Sequence, residues 1–338
     1  MLPLLFTLAA LAPNAPVSPE APVDAGQVRQ TVEKSLPFLE KEALDWETKK
    51  CVSCHHGPWM MWSGYEAKKR GFNVNEKSLE LVRAKALKAY TTHPTMRPTN
   101  RDVFNDLAIN VTYLTFAVGA KGEPDAETAR FLDKAAAHLL EQQKEDGSWR
   151  VIITKAPDGF MAPLIDRDDV TTMLALLTLH YREPAGISKE SLDKAKAKGL
   201  KFLSDNPPSE VLQSPVLRIL LNQRLGKTDE VQVHVKQLLA LQKDDGGWSQ
   251  TKKLKSDALG TGQALMALTT AGMTAKDPAV VKAWGYLISN QKPDGSWFVN
   301  SRAYQRPEFS SYMGTGWATL ALVRTLPDGN AQTAVPIR

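Results

Sequence analysis

Apolar residues recur with helical spacing along this chain, and two kinds of helix are predicted from the pattern. In the segment ETARFLDKAAAHLLEQQK, the apolar residues Ala129, Leu132, Ala136, Leu139 and Leu140 fall on one face. This predicts an amphipathic helix with its opposite side in solvent. Three later segments, DVTTMLALLTLH, GTGQALMALTTAG and GTGWATLALVRTL, are apolar on most sides. Helices of that kind belong in the interior, so the pattern predicts an outer and an inner set.

A short motif repeats at the ends of the outer helices. The segments QKEDGSW, QKDDGGW and QKPDGSW start at Gln143, Gln242 and Gln291, which are 99 and 49 residues apart. A degenerate copy is expected near residue 195, in KGLKFLSDNPPSE, and two more near residues 95 and 45. The Asp-Gly pair is suited to end a helix in a left-handed turn. A period of about 50 residues is typical of stacked helical hairpins.

Six such hairpins occupy the body of the chain and can close into a ring, which removes the exposed ends of an open stack. The predicted fold is all-α, an α6/α6 toroid spanning residues 26–328, followed by a C-terminal tail at residues 329–338. The repeats resemble the QW repeats of the terpenoid cyclases, including squalene–hopene cyclases, and of the protein prenyltransferases. This resemblance implies the same toroid. It also implies that the Gln and Trp of each copy tie neighbouring hairpins together on the outside of the ring, at Gln143, Trp149, Gln242, Trp248, Gln291 and Trp297.

The N-terminal segment predicts export. Residues Leu2 to Ala12 form an eleven-residue apolar run, too short to span a bilayer but typical of a signal-peptide core. We interpret residues 1–25 as a signal peptide with the start of a Pro- and Ala-rich linker, with cleavage after Ala25 as one site. The predicted location is the periplasm or another exported compartment. A retained apolar anchor is the alternative.

Composition limits the partners. The net charge of +5 comes from Lys and Arg residues that are spread along the chain among Asp and Glu. Without a basic stripe that carries interleaved aromatic residues, nucleic acid is excluded as a partner. Peripheral contact with a membrane is a further expectation.

The two cysteines of the chain, Cys51 and Cys54, stand directly before His55 in the segment CVSCHH. This spacing matches the C-x-x-C-H attachment signature of c-type cytochromes. Two thiols one helical turn apart can bond the porphyrin vinyl groups, and the next imidazole becomes the proximal iron ligand. The sequence therefore predicts one covalent haem c. A Cys51–Cys54 disulfide or another metal site is the alternative, although a structural zinc site needs four ligands.

The sixth ligand of that iron is predicted in the next repeat. His93 and Met96, in TTHPTMRP, are the leading choices, and an open sixth position is the alternative. A zinc site of the prenyltransferase type has no matching ligand set once both cysteines are assigned to haem.

An acidic string opens the third predicted inner helix. Asp166-Arg167-Asp168-Asp169 resembles the D-x-D-D motif of squalene–hopene and other class II cyclases, where the middle aspartate protonates an alkene or epoxide. The resemblance implies that Asp168 is the proton donor and that Asp166 and Asp169 tune it through negative charge and burial. The alternative is that these residues only cap the helix and favour its dipole.

The inner helices of a ring of hairpins all run the same way, so their N-termini should gather on one rim. The haem motif and the acidic string are therefore predicted at the same mouth of the ring. The sequence also predicts four more residues there, which are Asn100, Asp102, Asp257 and Tyr312.

Three functions are consistent with these features, and the sequence leaves open whether the chain is an enzyme. The leading hypothesis is an exported mono-haem c-type protein with an electron-transfer or redox role and a redox partner protein. The second is a class II terpenoid cyclase that uses Asp168 on an apolar isoprenoid-like molecule. The third is a toroid without catalytic activity that serves as an interaction scaffold.

Overall fold

The computed structural model describes residues 23–47, 56–92, 107–149, 167–300 and 307–326, and all regular structure in these ranges is α-helical. The all-α prediction is confirmed. The twelve helices are α1 (Ala25–Glu47), α2 (His56–Lys69), α3 (Glu76–Thr92), α4 (Leu107–Gly119), α5 (Ala126–Gln142), α6 (Asp168–Leu179), α7 (Lys189–Asp205), α8 (Gln213–Arg224), α9 (Thr228–Leu239), α10 (Ala258–Thr270), α11 (Pro278–Ser289) and α12 (Pro307–Thr325).

The even-numbered helices form a closed inner ring. Each one packs on the next in the order α2, α4, α6, α8, α10 and α12, and α12 packs back on α2. The odd-numbered helices lie outside and pack on neighbouring inner helices, with α1 on α2 and α12, α3 on α2, α7 on α6 and α9 on α8. This arrangement is the predicted α6/α6 toroid.

The burial of the helices follows the two predicted patterns. On the outer helix α5, Leu132, Ala136 and Leu139 are buried, whereas Ala129 and Leu140 are only half-buried. The inner helices α6 and α10 are buried along almost their whole length. Within the described ranges, no helix is both long enough and apolar enough to cross a membrane.

The QW motif joins each outer helix to its own turn and to the next outer helix. In the second copy, Trp248 donates from Nε1 to the Leu238 carbonyl at 2.7 Å, at the end of α9. Gln242 donates from Nε2 to the carbonyls of Gly246 in the turn and Ala279 in α11, both at 2.9 Å. The same bonds recur in the other two copies, from Trp149 to Leu139, from Trp297 to Leu287, from Gln143 to Ala195 and from Gln291 to Thr31. The structural role that the resemblance implied is confirmed.

Each Trp of the motif is also held by an inner helix. The backbone N–H of Trp248 donates to the hydroxyl of Thr261 on α10 at 3.0 Å. The matching donors in the other copies are the backbone N–H groups of Trp149 and Trp297, which bond Thr172 on α6 and Thr315 on α12. The motif therefore sets the register between the outer and inner helices.

The inner helices α6, α8 and α10 start on a common rim, because hydrogen bonds link their first residues. Asp169, the second residue of α6, accepts from the hydroxyl of Ser214, the second residue of α8. The N–H of Leu212, before α8, donates to the Gln250 carbonyl, and the Gln250 amide donates to Asp257, which caps α10. At the other junction, the Tyr312 hydroxyl of α12 lies 2.9 Å from the carbonyl of His56, the first residue of α2.

Candidate functional site

The rim at the start of α6 carries a pair of carboxylates. Asp168 and Asp169 are the first two residues of α6, and Arg167 before them is in an extended conformation. Asp168 is half-buried and Asp169 is buried. The free N–H groups and the dipole of a helix N-terminus favour negative charge on the buried Asp169.

The Asp169 side chain makes two hydrogen bonds to residues at and just before the start of α8. Its Oδ2 accepts hydrogen bonds from the Ser214 hydroxyl at 2.7 Å and from the backbone N–H of Ser209 at 3.2 Å. Burial lowers the pKa of the nearby Arg218 guanidinium, and the negative charge of Asp169 opposes that shift. Asp169 thus ties α6 to α8.

The interior of the ring below the rim holds an aromatic cluster that the sequence analysis missed. The ring centroid of Trp59 on α2 lies 4.6 Å from that of Trp317 on α12 and 5.1 Å from that of Tyr113 on α4. Tyr113 and Trp317 also meet, at 6.3 Å. Because α4 and α12 are the two ring neighbours of α2, a contact between them crosses the inner side of α2. Trp62 and Phe116 extend the cluster, with their ring centroids 5.3 Å apart.

A polar residue shares this interior. The segments GTGQALMAL of α10 and GTGWATLAL of α12 align through Thr261 and Thr315, which make the same bond to a QW tryptophan. In that register, Gln263 occupies the position that Trp317 has on α12. Gln263 is buried, and its Nε2 has no hydrogen-bond partner among the described residues. The repeated GTG segment could have revealed both interior positions from the sequence.

His56, the second histidine of CVSCHH, is buried in an aromatic sandwich. Its ring stacks on Trp46 at 4.5 Å and on Tyr312 at 3.9 Å. Burial raises the pKa of the Tyr312 phenol well above its ordinary value of 10.0, so the phenol stays neutral. Tyr312, the sixth residue of α12, therefore joins that helix to the start of α2 and acts there as a packing residue.

Several predicted site residues lie outside the described residues. They are Cys51, Cys54, His55, His93, Met96, Asn100, Asp102 and Asp166. The segment with the haem motif directly precedes α2, whose start is on the rim. Haem attachment stays a prediction. It would be tested by mass spectrometry of the chain purified from a host that exports it, because a covalent haem adds to the mass of the polypeptide. The described residues contain no group of three or more His, Cys, Asp or Glu side chains that could hold a metal ion.

The comparisons with known proteins find a squalene–hopene cyclase profile over part of the chain and the same helical fold in solved structures. Residues 185–334 match the sequence profile described as "Squalene-hopene cyclase C-terminal domain". This match covers the last three hairpins and therefore includes two of the QW copies. No curated protein matches the sequence.

Solved structures show the same fold over nearly the whole chain. One of them is a variant of the type II terpene cyclase MstE from Scytonema in complex with merosterolic acid A, its product. Its TM-score is 0.61 and its sequence identity is 15%, and the alignment covers 90% of this chain and 98% of the MstE chain. A second MstE variant, bound to its substrate geranylgeranyl dihydroxybenzoate, has a TM-score of 0.57 and 14% sequence identity. This alignment also covers 90% of this chain and 98% of the MstE chain. A possible member of the GH105 family from Salmonella enterica has a TM-score of 0.58 and 12% identity, and covers 94% of this chain and 99% of its own.

These findings correct the leading functional hypothesis. An electron-transfer or redox protein built around haem c is contradicted by the squalene–hopene cyclase match and by the type II terpene cyclase neighbours. The C-x-x-C-H spacing led to that error because the hypothesis gave a short local motif more weight than the repeats of the whole chain. The findings favour the second hypothesis, a class II cyclase.

Proposed function

We propose that this chain is a class II terpene cyclase-like enzyme that acts on an apolar isoprenoid-like substrate, with Asp168 as the proton donor. The observation that carries the proposal is the carboxylate pair at the start of α6, on the rim of a closed ring with an aromatic interior.

The proposed reaction is an isomerisation and needs no oxidant or reductant. The Asp168 carboxyl transfers its proton to the terminal carbon of an alkene, or to the oxygen of an epoxide, and leaves a carbocation on the substrate. The π electrons of the next double bond then form a carbon–carbon bond to that cation, which closes a ring and moves the charge along the chain. Loss of a proton from the final cation restores a double bond, and solvent returns a proton to Asp168.

The residues around Asp168 have distinct proposed roles. Asp169 is a positioning residue, since Ser214 and the Ser209 N–H hold its carboxylate against α8. Asp166 remains a predicted second tuning residue. The faces of Trp59 and Trp317 would stabilise positive charge on the substrate through cation–π interactions.

The solved neighbours support this class of substrate, although the fold alone does not decide it. The substrate named for the MstE complex is a geranylgeranyl-bearing aromatic acid. The GH105-like neighbour has the same fold with a different named family. The squalene–hopene cyclase match of residues 185–334 favours isoprenoid chemistry for this chain.

Purified protein would be incubated with squalene and with geranylgeranyl-substituted hydroxybenzoate, and the products analysed by mass spectrometry and chromatography. We expect a cyclised product with the mass of the substrate. The Asp168→Asn variant should lose activity by a factor of about 100 or more, the range of general acid catalysis.

Asp244→Asn, at an exposed position of the second QW turn, is the matched control and should keep full activity. Circular dichroism would show that both variants are folded. If no isoprenoid is converted by the wild-type chain, the non-catalytic scaffold becomes the better description.

A further inference from the structure

A cavity lies outside the inner ring, between the first outer helix α1, the inner helix α2 and the start of α3. It has a volume of about 440 Å³, which is in the range of small-molecule sites. Its walls come from the middle of α1, from α2, and from the turn and first residues of α3. The residues that line it are Glu33, Leu36, Pro37, Leu39, Glu40, Met60, Gly64, Gly71, Phe72, Asn73, Val74, Asn75 and Leu79.

The floor of this cavity is apolar. Leu39, Met60, Phe72 and Leu79 line it, and each of these side chains is more than nine-tenths buried. An apolar body can therefore leave water by entering the cavity, which is favourable by about 25 cal/mol per Å² of buried surface.

The edge of the cavity is acidic. Glu33 and Glu40 line it, and none of the described residues in its lining is a Lys or Arg. This contrasts with the positive net charge of the whole chain, which is +5. The charged side chains of the lining are therefore both carboxylates, and a neighbouring cation, Arg29, packs with its guanidinium carbon 4.3 Å from the ring centroid of Phe72.

Glu40 is held in place for this role. Its Oε1 accepts from the Asn75 amide and from the Ser78 hydroxyl, both at 2.7 Å. The second oxygen, Oε2, has no hydrogen-bond partner among the described residues. The carboxylate is thus fixed by one oxygen and presents the other.

Pro37 adds an acceptor at the same edge. It lies inside α1, and because proline has no N–H it cannot donate the helical hydrogen bond to the Glu33 carbonyl. Glu33 and Pro37 both line the cavity. The break in the backbone ladder of α1 therefore leaves a carbonyl oxygen without its usual donor at the cavity.

We propose that this cavity binds small amphipathic ammonium compounds, which place an apolar body on the floor and the ammonium at Glu40 and Glu33. An ammonium group supplies three donors and no acceptor, which matches an edge of carboxylate and carbonyl oxygens. The inference does not depend on the proposed cyclase reaction, since the cavity lies on the outer side of α2.

The test is isothermal titration calorimetry with octylammonium, 1-octanol and octanoate, each below its micelle concentration. Octylammonium should bind with one-to-one stoichiometry and about ten-fold more tightly than 1-octanol, and octanoate should not bind. Raising the salt from about 50 mM to about 500 mM should weaken octylammonium binding, because partly exposed charge pairs are screened.

Two variants locate the site. Glu40→Gln keeps an oxygen for Asn75 and Ser78 and should weaken octylammonium binding about ten-fold. Leu36→Trp fills the cavity and should abolish binding of octylammonium. Glu141→Gln, which replaces an exposed glutamate on α5, is the matched control and should bind like the wild type.

Several outcomes would overturn the proposal. They are equal affinities for octylammonium and 1-octanol, unchanged binding by the Glu40→Gln variant, binding that survives Leu36→Trp, and the absence of saturable binding. Cyclase activity plays no part in this readout, so the two proposals can fail separately.

Discussion

The side chain of Gln291 donates a hydrogen bond to the carbonyl oxygen of Thr31 at 2.9 Å, across 260 residues of sequence. Gln291 follows α11, the last outer helix, and Thr31 lies in α1, the first. The bond is the QW contact made between the two ends of the ring. A motif that elsewhere joins consecutive hairpins thus also closes the toroid.

Loss of this bond should loosen the first outer helix. In Gln291→Ala, the hydrogen bonds to Thr31 and Gly295 are both lost. The free energy of unfolding should therefore fall by about 1–3 kcal/mol. Gln242→Ala removes the equivalent bonds to Gly246 and Ala279 at an internal junction, so it is the matched control. Chemical denaturation would give the two free energies of unfolding.

Amide hydrogen exchange distinguishes opening of the ring at α1 from a general loss of stability. Only Gln291→Ala should speed the exchange of α1 amides, because the Gln291 side chain bonds Thr31 in α1 whereas that of Gln242 bonds Ala279 in α11. Equal exchange of α1 in both variants would show that Gln291 does not hold the ring closed.

Local repeats made most of the fold predictable. Gln143, Gln242 and Gln291 gave the period, and that period gave the number of hairpins. The segment KGLKFLSDNPPSE, expected to hold one degenerate copy, spans the end of α7, and α1 and α3 end at Glu47 and Thr92, close to the other two expected positions. Closure of the ring could be expected only from the hairpin count, since the contact of Gln291 with Thr31 is not encoded in any local pattern.

The candidate site was less predictable because it depends on which side chains face one another across the ring. The acidic string revealed Asp168 and Asp169, but the bond from Asp169 to Ser214 joins residues 45 apart on different helices. The interior position of Trp317 required the register of α12 against its QW turn. The haem ligands and the export signal fall outside the described residues and stay predictions.

Close packing of α10 on α12 should make Gly262 sensitive to substitution. A Cβ at this position would come within 2.6 Å of the backbone carbonyl carbon of Trp317 and of the Ala318 nitrogen. Gly262→Ala must therefore push the two inner helices apart, and we expect a loss of about 1–3 kcal/mol in unfolding free energy.

Gly285→Ala is the matched control for that change. Gly285 lies in the outer helix α11, where a Cβ would be 3.8 Å from the nearest atom, Cγ2 of Val23. Because alanine is a better helix former than glycine, the free energy of unfolding of this variant should rise by up to about 1 kcal/mol. Thermal unfolding of both variants gives the comparison, and a loss at Gly285 as large as that at Gly262 would contradict the packing argument.

Ser214→Ala should disturb the carboxylate pair without touching either aspartate. It removes the 2.7 Å hydrogen bond to Asp169 and leaves a buried charged oxygen with one donor fewer. We expect the free energy of unfolding to fall by about 1–3 kcal/mol, as measured by denaturant unfolding. Ser289→Ala, which removes an exposed hydroxyl bonded to the Tyr286 carbonyl, should change stability little. If both variants unfold alike, Asp169 does not depend on Ser214.

His180 should make the stability of the chain depend on pH. Burial, with Lys196 and Arg224 nearby, lowers the pKa of His180 from its ordinary value of 6.5 to about 4 in the folded chain. The unfolded chain therefore binds the proton more tightly than the folded one. The stabilising effect of a neutral His180 is present in full above pH 6.5 and is lost as the pH falls from about 6.5 to about 4.

Two measurements check this pH dependence. Titration of the histidine ring by NMR should show His180 neutral at pH 5, and denaturant unfolding should show stability falling between pH 6.5 and pH 4. In His180→Asn, which cannot take up the proton, that part of the slope should disappear. A His180 ring that titrates near 6.5 in the folded chain would contradict the prediction, because the half-buried imidazole at the end of α6 would then be as well solvated as in the unfolded chain.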